Sequence, residues 1–182
     1  MNQNLQDQLL SEIVWSATRQ GAFQRSKIYN SQVTVSDKDK SNFRKYLKDY
    51  CYTEFYKKLH KKKISEENLI EIIRKLISET SEKFKPILKD GELQFGNAQK
   101  FVNLYLKSLW VMGRIEEPPH FPLDRLIQTG FKSIKSWTDM NEKEYLDVIE
   151  CAKKAKNNPK QGLAIWEAQK YLQITNKNRA YS

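Results

Sequence analysis

Cysteine, histidine, glycine and proline are all scarce in this chain, and each scarcity excludes something. Cys51 and Cys151 are too few for a disulfide framework or a thiolate metal cluster. His60 and His120 are the only histidines, and no usual zinc or iron–sulfur ligand spacing occurs, so no metal and no cofactor are expected. Both cysteines fall in helical patterns and read as buried thiols of a reducing compartment. Six glycines and five prolines among 182 residues leave few turns, which favours long helices. No run approaches the roughly 20 apolar residues that span a bilayer. The opening "MNQNLQDQLLSEIVWSATRQ" lacks the apolar centre of a signal peptide, so a cytoplasmic protein without a membrane partner is expected.

What the chain has in excess is positive charge. Thirty-two Lys and Arg against 22 Asp and Glu give +10 and a pI near 9.5, and such a potential attracts polyanions. Nucleic acid is the favoured partner; a membrane surface and an acidic protein are the competitors. Hydrophobic residues at 39% suffice for one core in a chain of this length, so residues 1–182 are expected to form a single all-α domain of about seven helices.

The apolar spacing places those helices. Leu5, Leu9, Ile13 and Ala17 form the expected buried stripe of the first. Ser36 or Asp37 caps a second, whose stripe runs Phe43, Tyr46, Leu47, Tyr50, Phe55, Leu59. It closes on "KKLHKKK", where Lys61, Lys62 and Lys63 are either a phosphate-contacting patch or a solvated helix end. Ser65 opens a third, with Leu69, Ile72, Ile73, Leu76 and Ile77 inward. Asp139 with Glu142 reads as a capping box for a helix burying Tyr145, Val148, Ile149 and Ala152. Asn158 with Pro159 is expected to start the last helix.

The stretch "GNAQKFVNLYLKSLWVMG" at 96–113 is the most informative. Ala98, Phe101, Val102, Tyr105, Leu106, Leu109 and Met112 make a core-facing stripe, while Lys100, Asn103, Lys107 and Arg114 share the other face. "PPHFPLD" must then run extended, because residues before proline avoid the α region, and it ends at Asp124, a natural N-cap for "RLIQ". This order resembles the helix-hairpin-helix DNA glycosylases, in particular the 8-oxoguanine glycosylases and their archaeal relatives: a lysine opening an apolar helix, then an aspartate ending a "P-L-D" segment. Lys107, seven residues after Lys100, also resembles the archaeal subgroup.

The resemblance implies a DNA glycosylase and AP lyase that excises an oxidised purine from duplex DNA, acting on a flipped base, as a nucleoid-associated monomer. Lys100 would be the nucleophile and Asp124 its electrostatic partner, with Lys107 as the neighbouring cation that lowers the amine's proton affinity. Gly96, Asn97, Gln99, Lys107, Arg125 and Lys61–Lys63 would hold backbone phosphates. Trp15 and Trp166 lie off their helices' apolar stripes and are candidates to stack on the base, with Gln169, Gln173 and His120 beside it. Trp110 and Trp137 read as structural. The alternative is a helical DNA-binding protein without chemistry, of the kind that serves bacterial or phage defence; a protein-interaction module with a basic face is a third reading.

Overall fold

The computed structural model describes residues 3–23, 26–131 and 135–180. Among the described residues seven α-helices make the fold: α1 (Gln3–Phe23), α2 (Asp37–Tyr50), α3 (Glu66–Phe84), α4 (Phe95–Val111), α5 (Arg125–Gln128), α6 (Glu142–Ala155) and α7 (Leu163–Ala180). Helix α2 runs on into a π-helical segment, Cys51–Lys57, whose wider turn brings Cys51, Phe55 and Tyr56 inward. Short 3₁₀ turns occupy Lys85–Ile87, Lys89–Gly91 and Trp137–Asp139. Extended pairing among the described residues is limited to one bridge between Tyr29 and Leu88. No helix among them is long and apolar enough to cross a membrane.

Helix α4 is the axis. Helices α1, α3 and α6 and the Trp137–Asp139 turn all pack against it, and its expected stripe from Ala98 to Leu109 is buried. Its expected polar face is covered as well, since Lys100 and Asn103 are both buried. Helix α1 crosses close by: a Cβ on Gly21 would lie 3.0 Å from Leu104 Cδ1. The inward residues of α2 and α6 follow the expected periodicity, whereas α3 buries Leu69, Ile73 and Leu76 as expected but adds Ile70 and Thr80 and leaves Ile72 and Ile77 half-buried.

Helix α1 turns the other way from its apolar spacing. Leu5, Leu9 and Ile13 are about half exposed, at 48%, 49% and 53%, and the buried face is Ser11, Val14, Trp15, Thr18 and Ala22. Trp15 sets its ring edge-on to Phe101, at 6.2 Å between centroids, and that aromatic contact outweighs the aliphatic stripe. Cys151 is also exposed, against expectation, while Cys51 is buried.

The helix starts show where local cap chemistry decides and where it does not. Ser36 makes a full capping box with Asp39, and Ser65 accepts from Asn68 N–H at 3.2 Å. The box before α6 is Asn141 with Glu144, not Asp139 with Glu142, because Asp139 is held in the 3₁₀ turn. Asn158 accepts from Lys160 N–H in a local turn, and α7 begins only at Leu163. There the carboxylate of Glu117, 48 positions earlier, accepts from Ile165 N–H at 2.9 Å. Gly162 leaves room for that carboxylate, since a Cβ would sit 2.0 Å from Glu117 Oε1.

Candidate active site

One face of α4 floors a cavity of about 1180 Å³. Asn97, Lys100, Leu104, Lys107, Ser108 and Val111 line it at helical spacing. Its walls are the end of α1 (Ala17, Gly21), the 122–126 segment with Asp124 and Arg125, the Ser136–Asp139 stretch, and Glu167 with Tyr171 from α7. The volume exceeds the usual range of small-ligand pockets, roughly 300–1,000 Å³.

Lys100 and Asp124, paired from sequence alone, both line this space. Lys100 is only 7% exposed, and its Nζ lies over the Trp137 ring, 4.4 Å from the centroid. Trp137 is therefore a wall of the cavity and not merely structural. It reaches that place because α4 and the 3₁₀ turn touch backbone to backbone: a Cβ on Gly96 would fall 1.9 Å from the Trp137 carbonyl oxygen. Asp124 caps α5, and its Oδ1 accepts from Leu126 N–H at 2.9 Å and Ile127 N–H at 3.1 Å. Both capping bonds fall on Oδ1.

A buried amide sets the register of these two residues. Gln99 Nε2 donates to Leu123 O at 2.8 Å and to Gly96 O at 3.0 Å, while Gln99 Oε1 accepts from Leu123 N–H at 3.2 Å. Gln99 and Leu123 are the neighbours of Lys100 and Asp124, and both pairs are 24 positions apart in sequence. Behind the clamp, Asn103 Nδ2 donates to Gln99 Oε1 and to the Tyr145 hydroxyl, which also contacts His120 Nδ1 at 3.1 Å. The network is buried, so the returning "PPHFPLD" segment is fixed by polar bonds as well as by Phe121 and Leu123 in the core.

Lys107 departs from its expected role. Its Nζ donates to Glu167 Oε2 at 2.5 Å, and the Glu167 side chain is 3% exposed against 20% for Lys107. Burial pushes the Glu167 carboxyl upward, Lys107 opposes that shift, and the nearby Asp124 adds to it. A lysine with a carboxylate bonded to it is neither a phosphate clamp nor an isolated cation beside Lys100.

Several other candidates lie elsewhere. Trp15 and Trp166 are core residues, Trp166 packing on Phe121 and Phe131 at 5.8 and 6.0 Å between centroids. Gln169 and Gln173 are exposed and outside the cavity lining; Gln169 Oε1 accepts from Gln161 Nε2. His120 is fully buried beneath Tyr145, with burial lowering its imidazole to about 4. Gly96 and Gln99 are structural, as their contacts above show. Lys61, Lys62 and Lys63 are exposed on a loop joined to the 113–116 link by Lys61 N–H to Arg114 O, and they do not line the cavity. Arg125 does line it and is exposed, as is Lys27.

Trp137, Glu167 and Tyr171 are wall residues that the sequence reading passed over. Their common signal, visible only in three dimensions, is that the first half of α7 and a 3₁₀ turn deliver them to the lysine face of α4. Among the described residues no group of three or more His, Cys, Asp or Glu gathers as a metal site. Compared with family models, curated proteins and solved structures, the chain matches none.

Proposed function

We propose that the protein is a DNA glycosylase with abasic-site lyase activity, acting on an oxidised purine such as 8-oxoguanine flipped out of duplex DNA. The observation that carries this reading is the shared cavity: a buried lysine and an aspartate, fixed in register by Gln99, line one space wide enough for an everted nucleoside. The helix α3, a tight turn with Asp90 and Gly91 both at positive φ, and the lysine-bearing α4 support it further.

The chemistry is that of an amine nucleophile. Once deprotonated, Lys100 Nζ donates its lone pair to sugar C1′ as the C1′–N bond to the base breaks, and that bonding pair leaves with the base, which takes up a proton. Nitrogen then sheds a proton, its lone pair forms C=N as the C1′–O4′ bonding pair leaves on O4′, and O4′ takes up a proton to become a hydroxyl, giving the imine. Removal of a C2′ proton then expels the 3′ phosphate and cuts the strand. Asp124 opposes the positive charge that develops on the sugar, and its carboxylate can accept the proton that the amine sheds. Trp137 supplies the aromatic wall, in place of Trp15 or Trp166. The exposed Arg125 and Lys27 at the cavity suit the flanking phosphates.

Borohydride reduction tests this directly, because it converts the imine into a stable covalent complex. The reading requires such a complex with DNA carrying one 8-oxoguanine. A salt-sensitive mobility shift that is indifferent to the modified base, without any trapped complex, would support the non-catalytic DNA-binding alternative instead.

A further inference from the structure

We infer that a groove between α1 and α2, outside the cavity, is a phosphate site built on Arg19 and Arg44. It goes beyond the glycosylase reading and uses none of the lysine chemistry. The phosphate comes from a nucleic-acid backbone or from a free phosphate group.

The groove has a volume of about 310 Å³ and is lined by Ser16, Arg19, Gln20 and Phe23 of α1 and by Arg44 of α2. The four α1 residues stand at i, i+3, i+4 and i+7, so they share one face. No carboxylate lines the groove. Among the described residues Arg19 and Arg44 make no ion pair, whereas Arg74 meets Glu142 and Arg114 meets Asp7. One turn to either side of Arg44, Lys40 and Lys48 are neutralised by Asp37 at 3.3 Å and Glu12 at 2.6 Å. Two guanidinium charges facing one space without a counter-charge repel each other, and an anion between them reverses the sign. Phe23 is held by the core, stacked on Phe101 at 5.6 Å between centroids, so the polar side chains give the groove its chemistry.

That chemistry selects the ligand. Every polar side chain lining the groove can donate a hydrogen bond, and the two charged ones can only donate. A guanidinium presents a planar fork that matches two phosphate oxygens. Two forks on one space suit an anion with more than two acceptor oxygens, which a phosphate has and a carboxylate lacks. Arg44 also has a fixed neighbour: burial raises the Tyr29 hydroxyl, the Arg44 charge opposes that rise, and the Tyr29 ring stands edge-on to Phe43.

The position of the groove favours a backbone phosphate. Helix α1 separates it from the cavity, since Ala17 and Gly21 line the cavity while their chain neighbours Ser16 and Gln20 line the groove. A helix with its side chains is about 10–12 Å across, roughly three base steps of about 3.4 Å. A strand that delivers a nucleotide to the cavity therefore has its flanking backbone within reach of Arg19 and Arg44.

The experiment measures how affinity for an undamaged duplex falls with salt in wild type, in Arg19→Gln/Arg44→Gln and in a control, Lys143→Gln/Lys154→Gln, which removes the same charge from exposed positions of α6. Loss of one phosphate contact lowers the slope of log affinity against log salt by about 0.9. That drop is expected in the groove variant, with the control slope unchanged. In parallel, inorganic phosphate is titrated into wild type at low salt and read by NMR from the Nε–H signals of Arg19 and Arg44. Shifts of both signals, with equal slopes in the two variants, identify a free phosphate as the ligand. Equal slopes and unmoved signals overturn the inference. If wild type binds no duplex at all, the glycosylase reading falls and the titration alone decides the groove: shifted signals keep it, and unmoved ones remove it. Absence of borohydride trapping on 8-oxoguanine DNA, with the slope change present, would end the glycosylase reading and leave the groove standing.

Discussion

The Gln99 carboxamide grips Leu123 by both backbone groups, donating to its carbonyl at 2.8 Å and accepting from its N–H at 3.2 Å. A side chain here performs the pairing that a neighbouring strand performs in a sheet. Gln99→Leu keeps the volume and strands the Leu123 N–H and C=O without partners. With roughly 1–3 kcal/mol for each of the two buried groups left unpaired, a loss of about 2–6 kcal/mol in unfolding free energy is expected. Urea denaturation measures it. Trapping with DNA should fall in the same variant even under conditions where it remains folded, because the segment that carries Asp124 is no longer tied to the helix that carries Lys100.

The Lys107–Glu167 pair gives an asymmetric prediction. Lys107→Met leaves a carboxylate at 3% exposure without a counter-charge, and removing one partner of a buried pair costs about 3–5 kcal/mol. Glu167→Gln leaves a lysine at 20% exposure that reaches water along its stem, so its cost is about 1 kcal/mol. The carboxyl is already pushed up by burial, and loss of Lys107 pushes it further. A group whose folded value is raised stabilises below its unfolded value and loses that contribution as pH rises. Lys107→Met should therefore regain stability relative to wild type as pH falls through the carboxylate range. Equal costs at neutral pH for the two variants would contradict this account.

His120 sets a second pH dependence, of opposite sign. Burial lowers its imidazole from 6.5 to about 4, with Glu66 partly opposing and Lys153 reinforcing. Above 6.5 the ring is neutral in both folded and unfolded chains. Between 6.5 and about 4 the unfolded chain takes a proton that the folded one refuses, so stability declines as pH falls, by up to about 1.4 kcal/mol per pH unit. His120→Gln should remove that slope. Urea midpoints at pH 7 and pH 4.5 for the two proteins check it, and parallel lines would show that His120 contributes nothing.

Much of this architecture is legible in the residues. The stripes of α2, α4 and α6 face inward as their spacing demands, that of α3 does so in part, and Ser36, Ser65 and Asp124 cap as their types predict. The failures have physical causes. On α1 an aliphatic stripe competes with Trp15, and the larger ring, meeting Phe101, takes the core. On α7 the cap comes from Glu117, far away in sequence, so the local Asn-Pro signal misplaces the helix start. At the site, a lysine and an aspartate could be nominated from order and spacing. The partner of Lys107 and the wall made by Trp137 could not, because both depend on how α7 and a 3₁₀ turn dock on α4.

The account depends on Lys100 as the amine that joins the sugar. Wild type, Lys100→Gln and Lys107→Gln, each treated with borohydride on duplex DNA containing one 8-oxoguanine, test it most directly, with mass spectrometry locating the adduct. The predicted result is a covalent complex carried on Lys100, lost in Lys100→Gln and retained at reduced yield in Lys107→Gln. A complex that survives Lys100→Gln, or an adduct mapped to Lys107, would contradict it.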